Sequence, residues 1–287
     1  MRHLLLQLDS SPHPSVFDRV VALDAGADEV LSYGGVTEDT VRDLVHGAIF
    51  TRGPKDLRHT AIFIGGTEMA AGERLLAAAR KAFLGPLRVS IMLDSNGSNT
   101  TAVAAVAKVQ EAAGNVQGRR VVVTGMGPVG TRAAGLLAQA GADVIITAPW
   151  PEGQVVDRTR QRFGGALREV TMPDRSHAAA VLEGAEVLLN AGPTGVHVVP
   201  LAAWARRRGL RVAADVNAVP PVGIEGIEVN DDGADREGVT TFGALAIGNL
   251  KMKIHKACIA RLFERNDLVL DAETIADLAR EIAKPLN

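Results

Sequence analysis

The sequence predicts an α/β fold: two parallel-sheet α/β domains, the second a Rossmann-type dinucleotide-binding domain. Three observations carry this. Apolar strand-length runs alternate with amphipathic helical runs from Leu4 to Leu93. Arg119 to Ala148 then holds a strand, a GxGxxG turn, a helix and a second strand within 30 consecutive residues. After it the strand and helix alternation resumes.

In order, the first domain reads LLLQL (4–8) as a strand, PSVFDRVVALDAGA (14–27) as a helix and EVLSY (29–33) as a strand. TEDTVRDLVHGAIF (37–50) follows as a helix that Thr37 can start, then TAIFIGG (60–66), EMAAGERLLAAARKAF (68–83) and VSIML (89–93). DSNGSNTT (94–101) leads into an Ala/Val helix that ends at Ala113. In the second domain Val121, Val122 and Val123 form a β-branched run suited to a strand buried on both faces. The helix from Val129 to Ala140 and the strand GADVIIT (141–147) come next, then VVDRTRQRF (155–163), AEVLLNAG (185–192), LAAWARRRG (201–209) and LRVAADVNA (210–218). About five parallel strands are expected there. The runs 242–266 and 271–283 read as two closing helices. The expected boundaries are 1–114, including a linker helix over 99–113, then 115–250, then 251–287 packing back on the first domain.

Composition narrows the function. The net charge is −2 and only 3% of residues are aromatic, which disfavours a nucleic-acid partner. Cys258 is the single cysteine, so no internal disulfide forms, and the seven histidines show no metal-ligand spacing. No run has the length of a membrane span or a secretory signal core, so a soluble cytoplasmic protein is expected. No GxSxG elbow is present, which disfavours a hydrolase.

Candidate ligand contacts follow strands, where open α/β sheets bind. In the GxGxxG turn, Gly125 permits the bend, Gly127 lets the backbone approach a pyrophosphate and Gly130 lets the helix pack on the strand. With Met126, Pro128 and Val129 they place free helix N–H groups toward phosphates. Ala148 ends the second strand of the unit, and Ala191, Gly192 and Pro193 follow a later strand near the nicotinamide end. Asp94, Asn96, Ser98, Asn99 and Thr100 are candidates for substrate binding, and capping of the next helix is the alternative use of the same residues. Asn217 lies in a segment stiffened by Pro220 and Pro221. Lys251 and His255 stand at i and i+4 on one helix face.

The chain resembles the NAD(P)-dependent methylene-tetrahydromethanopterin dehydrogenases of methylotrophic bacteria almost end to end. The resemblance rests on PSVFD (14–18), TAIFIGG with MAAGER (60–74), MLDSNGSNTTA (92–102), TGMGPVG (124–130), DVNAVPPVGIEGI (215–227) and FGALAIGNLKMKIHKACIARLFE (242–264). It implies a fold similar to methylene-tetrahydrofolate dehydrogenases, a cleft between two domains, and a homo-oligomer, a trimer or a multiple of one. Family active-site residues fall on Phe17, Thr101, Lys251 and His255. The implied reaction is oxidation of methylene-tetrahydromethanopterin to the methenyl form by direct hydride transfer to NAD or NADP, within one-carbon (formaldehyde) oxidation. The methylene carbon already bridges two nitrogens, so loss of hydride leaves a delocalised cation and the transfer itself needs no base.

One segment departs from that family. Its NADP-dependent members carry a basic stretch beyond the second strand of the nucleotide domain, where this chain has Thr147-Ala148-Pro149-Trp150-Pro151-Glu152. That tilts the expectation toward NAD or use of both. Glu152 or Asp157 would then face a ribose 2′-hydroxyl, with Arg158 or Arg160 as alternative phosphate contacts. Three other readings stay open: methylene-tetrahydrofolate as substrate, a shikimate-dehydrogenase-like reductase using Lys55 or Lys81 with Asp94, and a dinucleotide sensor without catalysis.

Overall fold

The computed structural model describes residues 1–283, so the last four residues of the expected 251–287 segment lie outside the described residues. Along the chain run β1 (Leu4–Asp9), α1 (Val16–Asp24), β2 (Glu29–Tyr33), α2 (Val41–Ile49), β3 (Thr60–Gly65), α3 (Met69–Lys81), β4 (Ser90–Leu93) and α4 (Ser98–Ala113). They continue as β5 (Arg120–Thr124), α5 (Pro128–Gln139), β6 (Asp143–Ala148), α6 (Gly153–Phe163), β7 (Ala166–Thr171), α7 (Ala178–Val181), β8 (Val187–Asn190), α8 (Leu201–Trp204) and β9 (Val212–Asp215). The chain closes with β10 (Asp232–Arg236), β11 (Val239–Phe242), α9 (Ala244–Arg261), β12 (Val269–Leu270) and α10 (Ala272–Ala283).

Two compact units result, Met1–Thr100 with Met252–Asn287, and Thr101–Lys251. The divisions fall inside α4 and α9; the expected break at 250/251 lies one residue from the second, and the expected break at 114/115 lies at the far end of α4 from the first.

The first unit holds a five-stranded parallel sheet in the order β12-β4-β3-β1-β2. Alternation of side chains puts Leu6, Leu8, Ile62, Ile64, Ile91 and Leu93 in one core. Val41, Val45, Ala48 and Ile49 of α2 join it at helical spacing, with Met69, Leu75 and Ala79 of α3. Thr37 does not start α2. Its N–H bonds the Thr40 hydroxyl at 3.0 Å in a turn, and the helix begins at Val41. Phe63 projects to the other sheet face and stacks on His255 of α9, with ring centroids 5.5 Å apart.

The second unit holds a seven-stranded sheet ordered β10-β11-β9-β8-β5-β6-β7. Read from β7 to β11 this is the 3-2-1-4-5-6 order of a dinucleotide-binding fold, and its strand order reverses between β5 and β8. Six strands are parallel and β10 is antiparallel to β11, so the expected number of about five was too low. The strands that the sequence did not mark by residue are β11, which lies between β10 and β9, and the two edge strands, β10 and β7, the latter with only Leu167 buried. Edge strands facing water lack the continuous apolar run that marks a buried one.

Candidate active site

The glycine turn after β5 is built for close approach. Gly125 has φ +96°, and a side chain there would meet the Ala191 carbonyl. A Cβ at Gly130 would overlap the Gly125 carbonyl oxygen, so α5 can pack against the turn only without one. At Gly127, the extended residue preceding α5, a Cβ would meet nothing within 4 Å. Two glycines are thus dictated by the protein's own packing, while the third borders open space at a helix N-terminus. Pro128 occupies the first helical position, where no N–H is needed. These residues fit a dinucleotide pyrophosphate, which the first-turn N–H groups of α5 would hold.

Beside the turn, three adjacent strands end in register on Thr124, Asn190 and Asp215. The Thr124 hydroxyl donates to Asn190 Oδ1 at 2.6 Å, and Asn190 Nδ2 donates to Asp215 Oδ1 at 2.8 Å. Asn190 Oδ1 also takes the Gly192 N–H at 3.1 Å, while Asp215 takes the N–H groups of Asn217 and Ile224. All three side chains are buried. Burial pushes the Asp215 carboxyl above the ordinary range, against hydrogen bonds from Asn190, Asn217 and Ile224 that favour its charged form. Asn217 Nδ2 donates to the carbonyls of Gly192 and Pro193, both at 3.2 Å. The network therefore clamps the Ala191–Pro193 loop, and Asn217 acts on that loop in this geometry.

In the first unit the ends of β1, β3 and β4 converge. Asp94, at the end of β4, accepts from Thr100 N (3.0 Å) and Thr100 Oγ1 (2.6 Å), fixing the first turn of α4. Asn99 Nδ2 donates to the Leu93 carbonyl at 2.6 Å, and Ser95 Oγ to that of Gly65 at 2.8 Å. Asp94, Ser98, Asn99 and Thr100 are all buried, so most of DSNGSNTT is occupied with its own turn. Asn96, exposed and left-handed at φ +54°, is the member that faces solvent.

His255 is fully buried beneath this turn. Its Nδ1 lies 3.7 Å from Asp94 Oδ2, and its ring is flanked by Phe63 and edge-on by Phe17 at 6.4 Å. Phe17 stands in the first turn of α1, capped by Ser15 Oγ accepting from Asp18 N, and is 49% exposed. The structure thus brings Phe17, Asp94, Thr100 and His255 together. Thr101 follows Thr100 on α4, and Lys251 stands one turn before His255 on α9, both on the second-unit portions of those helices. Phe63, Asp9 and the Thr124–Asn190–Asp215 ladder were not singled out in the sequence. Asp9, buried at the end of β1, holds Ser11 N at 2.8 Å and Ser15 N at 3.2 Å. Asp9, Thr124, Asn190 and Asp215 share one signal, a polar residue closing an apolar strand, whereas Phe63 lies within its strand and carries none.

Comparison with known proteins agrees with the geometry. Residues 16–96 match the family described as methylene-tetrahydromethanopterin dehydrogenase, N-terminal, and residues 112–221 one described as putative NAD(P)-binding. The chain is 48% identical over 286 residues to the bifunctional protein MdtA of Methylorubrum extorquens, covering 98% of this chain and 99% of that protein. It is 35% identical over 297 residues to the NAD(P)-dependent methylenetetrahydromethanopterin dehydrogenase of the same organism, with the same coverage. The chain belongs to this dehydrogenase family.

Solved structures extend the likeness of the dehydrogenase at the level of fold. Shikimate 5-dehydrogenase from Listeria monocytogenes, in complex with shikimate and NAD, superposes with a TM-score of 0.56 at 14% identity, covering 99% of this chain and 96% of that one. Ornithine carbamoyltransferase from Pyrococcus furiosus gives 0.55 at 16%, covering 90% and 84%. A carbamoyltransferase on the same fold shows that chemistry is set by the residues of the site. The Lys–Asp pair considered for a shikimate-type reaction does not form in the dehydrogenase with either lysine. Lys81 ends α3 and Lys55 precedes β3, both at the edge where the parallel strands begin, whereas Asp94 lies where they end.

Proposed function

We propose that this dehydrogenase oxidises methylene-tetrahydromethanopterin to the methenyl form by direct hydride transfer to NAD(P)+. The observation that carries the reading is the pairing of a pterin-dehydrogenase first unit with a glycine cradle whose open side is Gly127. When bound, the nicotinamide accepts the hydride.

The protein's part is positioning and electrostatics. Gly125, Gly127 and Gly130, with the first turn of α5, hold the pyrophosphate, and Met126, Pro128 and Val129 shape that turn. Ala191, Gly192 and Pro193, clamped by Asn190 and Asn217, set the depth of the nicotinamide, and Ala148 borders the adenosine ribose. Phe17 offers an exposed aromatic face to the flat pterin. Asp94 and His255 place a carboxylate and an imidazole beneath it, and a carboxylate favours a cationic product. Thr101, Lys251 and Asn96 orient the substrate by hydrogen bonds. Ser98, Asn99 and Thr100 keep the loop that presents them. The same proposal places the enzyme in the cytoplasm as a homo-oligomer, a trimer or a multiple of one. Among the described residues no helix is long and apolar enough to cross a membrane.

The test follows NADH and NADPH formation by near-ultraviolet absorbance with methylene-tetrahydromethanopterin and methylene-tetrahydrofolate. Reduction of dinucleotide by the methanopterin substrate is expected, and no reduction with either dinucleotide overturns the proposal. The folate arm measures pterin selectivity, since both substrates share the reacting ring.

A further inference from the structure

We propose that this enzyme selects NAD over NADP, and that the segment from Ala148 to Glu152 with Glu169 is the selecting element. The inference rests on the dinucleotide function proposed above and concerns which dinucleotide.

In a Rossmann unit the ribose of the adenosine half lies at the end of the second strand, here β6. An acidic side chain about 20 residues beyond the glycine motif accepts from the 2′-hydroxyl, or a nearby arginine takes a 2′-phosphate. Glu152 stands 22 positions beyond Gly130. A 2′-phosphate is a dianion with three acceptor oxygens, so a site for it needs cations and N–H or O–H donors. This segment holds no cation, and most of its donors are missing or engaged.

Pro149 and Pro151 have no N–H to give. The N–H of Glu152 is committed to Glu169 Oε1 at 2.5 Å. Glu169 comes from β7, and its carboxylate reaches the start of α6, with Oε2 4.0 Å from where a Gly153 side chain would begin. The positive end of α6 is thus met by the protein's own anion, in the place a phosphate would seek. Glu152 adds a second carboxylate, steadied by the Trp150 indole N–H at 2.8 Å on Oε1.

Two basic side chains of the following helix, Arg158 and Arg160, are engaged elsewhere. Arg160 donates through Nε to the Leu167 carbonyl at 2.6 Å and through Nη1 to Asp157 at 2.7 Å. Leu167 pairs with Val144 near the beginning of the parallel strands, the edge opposite Ala148. Arg158 contacts Gln154 at 3.4 Å, one turn back along α6. The strand end therefore presents an acceptor to a hydroxyl and two negative charges to a phosphate.

The experiment titrates the full-length protein with NADH and with NADPH, without pterin, by calorimetry and nicotinamide fluorescence, alongside kcat/KM with NAD+ and NADP+. NADH is expected to bind tighter by about tenfold or more, in line with a charged acceptor bond gained or a phosphate left unmatched. Glu152→Gln weakens NADH and narrows the gap, and Trp150→Arg combined with Glu152→Gln gains NADPH affinity. Both sites are at least partly exposed, and an unchanged melting temperature checks the fold. Equal affinities, tighter NADPH, or binding of neither overturns the inference. So does NADPH binding that Arg158→Ala abolishes, because the phosphate would then lie on α6. An unchanged NADH affinity in Glu152→Gln overturns the role of that residue. Selective NADH binding without pterin oxidation would overturn the proposed reaction and leave this inference standing.

Discussion

Replacing Asn190 with Ala tests whether the strand-end ladder holds the second unit and its nicotinamide loop. The side chain is fully buried and makes three bonds, to the Thr124 hydroxyl, the Gly192 N–H and the Asp215 carboxylate. Truncation leaves each partner short of one bond in a buried setting. A neutral donor so stranded costs about 1 kcal/mol and a charged acceptor about 1.5–3 kcal/mol. The expected destabilisation is about 3–5 kcal/mol, at the upper end for a single substitution. Urea unfolding followed by Trp204 fluorescence measures it locally, since Trp204 is fully buried and bonded through Nε1 to the Glu225 carbonyl. A Trp150→Phe background silences the exposed indole.

Asn190→Asp is the complementary control. It keeps the acceptor for Thr124 and Gly192 but sets a second carboxyl against Asp215, which burial already holds above the ordinary range. One of the two must then carry a proton. An acid raised in the folded state binds more protons folded than unfolded, so stability falls as pH rises through the folded value. Asn190→Asp is expected to be more stable at pH 5 than at pH 8. A loss under about 1 kcal/mol for Asn190→Ala, with unchanged dinucleotide affinity, would refute the ladder as the clamp.

Gly130→Ala should abolish NADH binding in calorimetry and lower the unfolding midpoint, because the added methyl enters the Gly125 carbonyl. Phe17→Ala should raise KM for the pterin roughly tenfold while changing stability by less than about 1 kcal/mol, as expected for a half-exposed aromatic contact; an unchanged KM removes Phe17 from the substrate site. Asp231→Asn should cost about 2 kcal/mol by urea unfolding, since Asp231 holds Arg236 through two bonds at 2.6 and 2.7 Å. Burial resists its charge, but Arg236, Glu228 N–H and the Thr241 hydroxyl hold the carboxyl below the ordinary range. Its contribution is therefore complete above the unfolded value and disappears as pH falls through the folded one, so Asp231→Asn should flatten the acid limb of the stability profile.

The fold was legible where burial imposed a period. The parallel strands β1, β3, β5, β6 and β8 are covered on both faces and read as largely apolar runs. β7 escaped notice because Arg168 and Glu169 interrupt it, and β12 because two residues make no period. The conformation of Asn96 and the exchange of bonds among Thr124, Asn190 and Asp215 depend on strand order, which local pattern does not encode. The two interior glycine positions of the turn were readable because φ and packing leave no other residue type. Gly127, read from the motif as the point of approach to a pyrophosphate, does border open space.

The candidate site divides along a line that composition hides. DSNGSNTT offers eight polar or small residues in a row, and any could in principle reach a ligand. A strand ending at a helix start leaves backbone donors without partners, and in a buried setting those donors claim the nearest side-chain oxygens. Asp94 is spent on Thr100, Asn99 on the Leu93 carbonyl and Ser95 on Gly65. Asn217 is likewise spent on the neighbouring Ala191–Pro193 loop, through the carbonyls of Gly192 and Pro193. Substitutions at these positions should therefore shift stability and kcat together, because the loop itself moves. Phe17 and Asn96 are exposed, and Thr101 and Lys251 retain partial access to solvent, so substitutions there should act on KM with little effect on folding. Asp94 belongs to both groups, since its Oδ2 that holds the Thr100 hydroxyl is also the oxygen nearest His255. That double duty explains why a carboxylate suits this corner better than an amide: Asn would supply one acceptor where the turn and the imidazole together call on two.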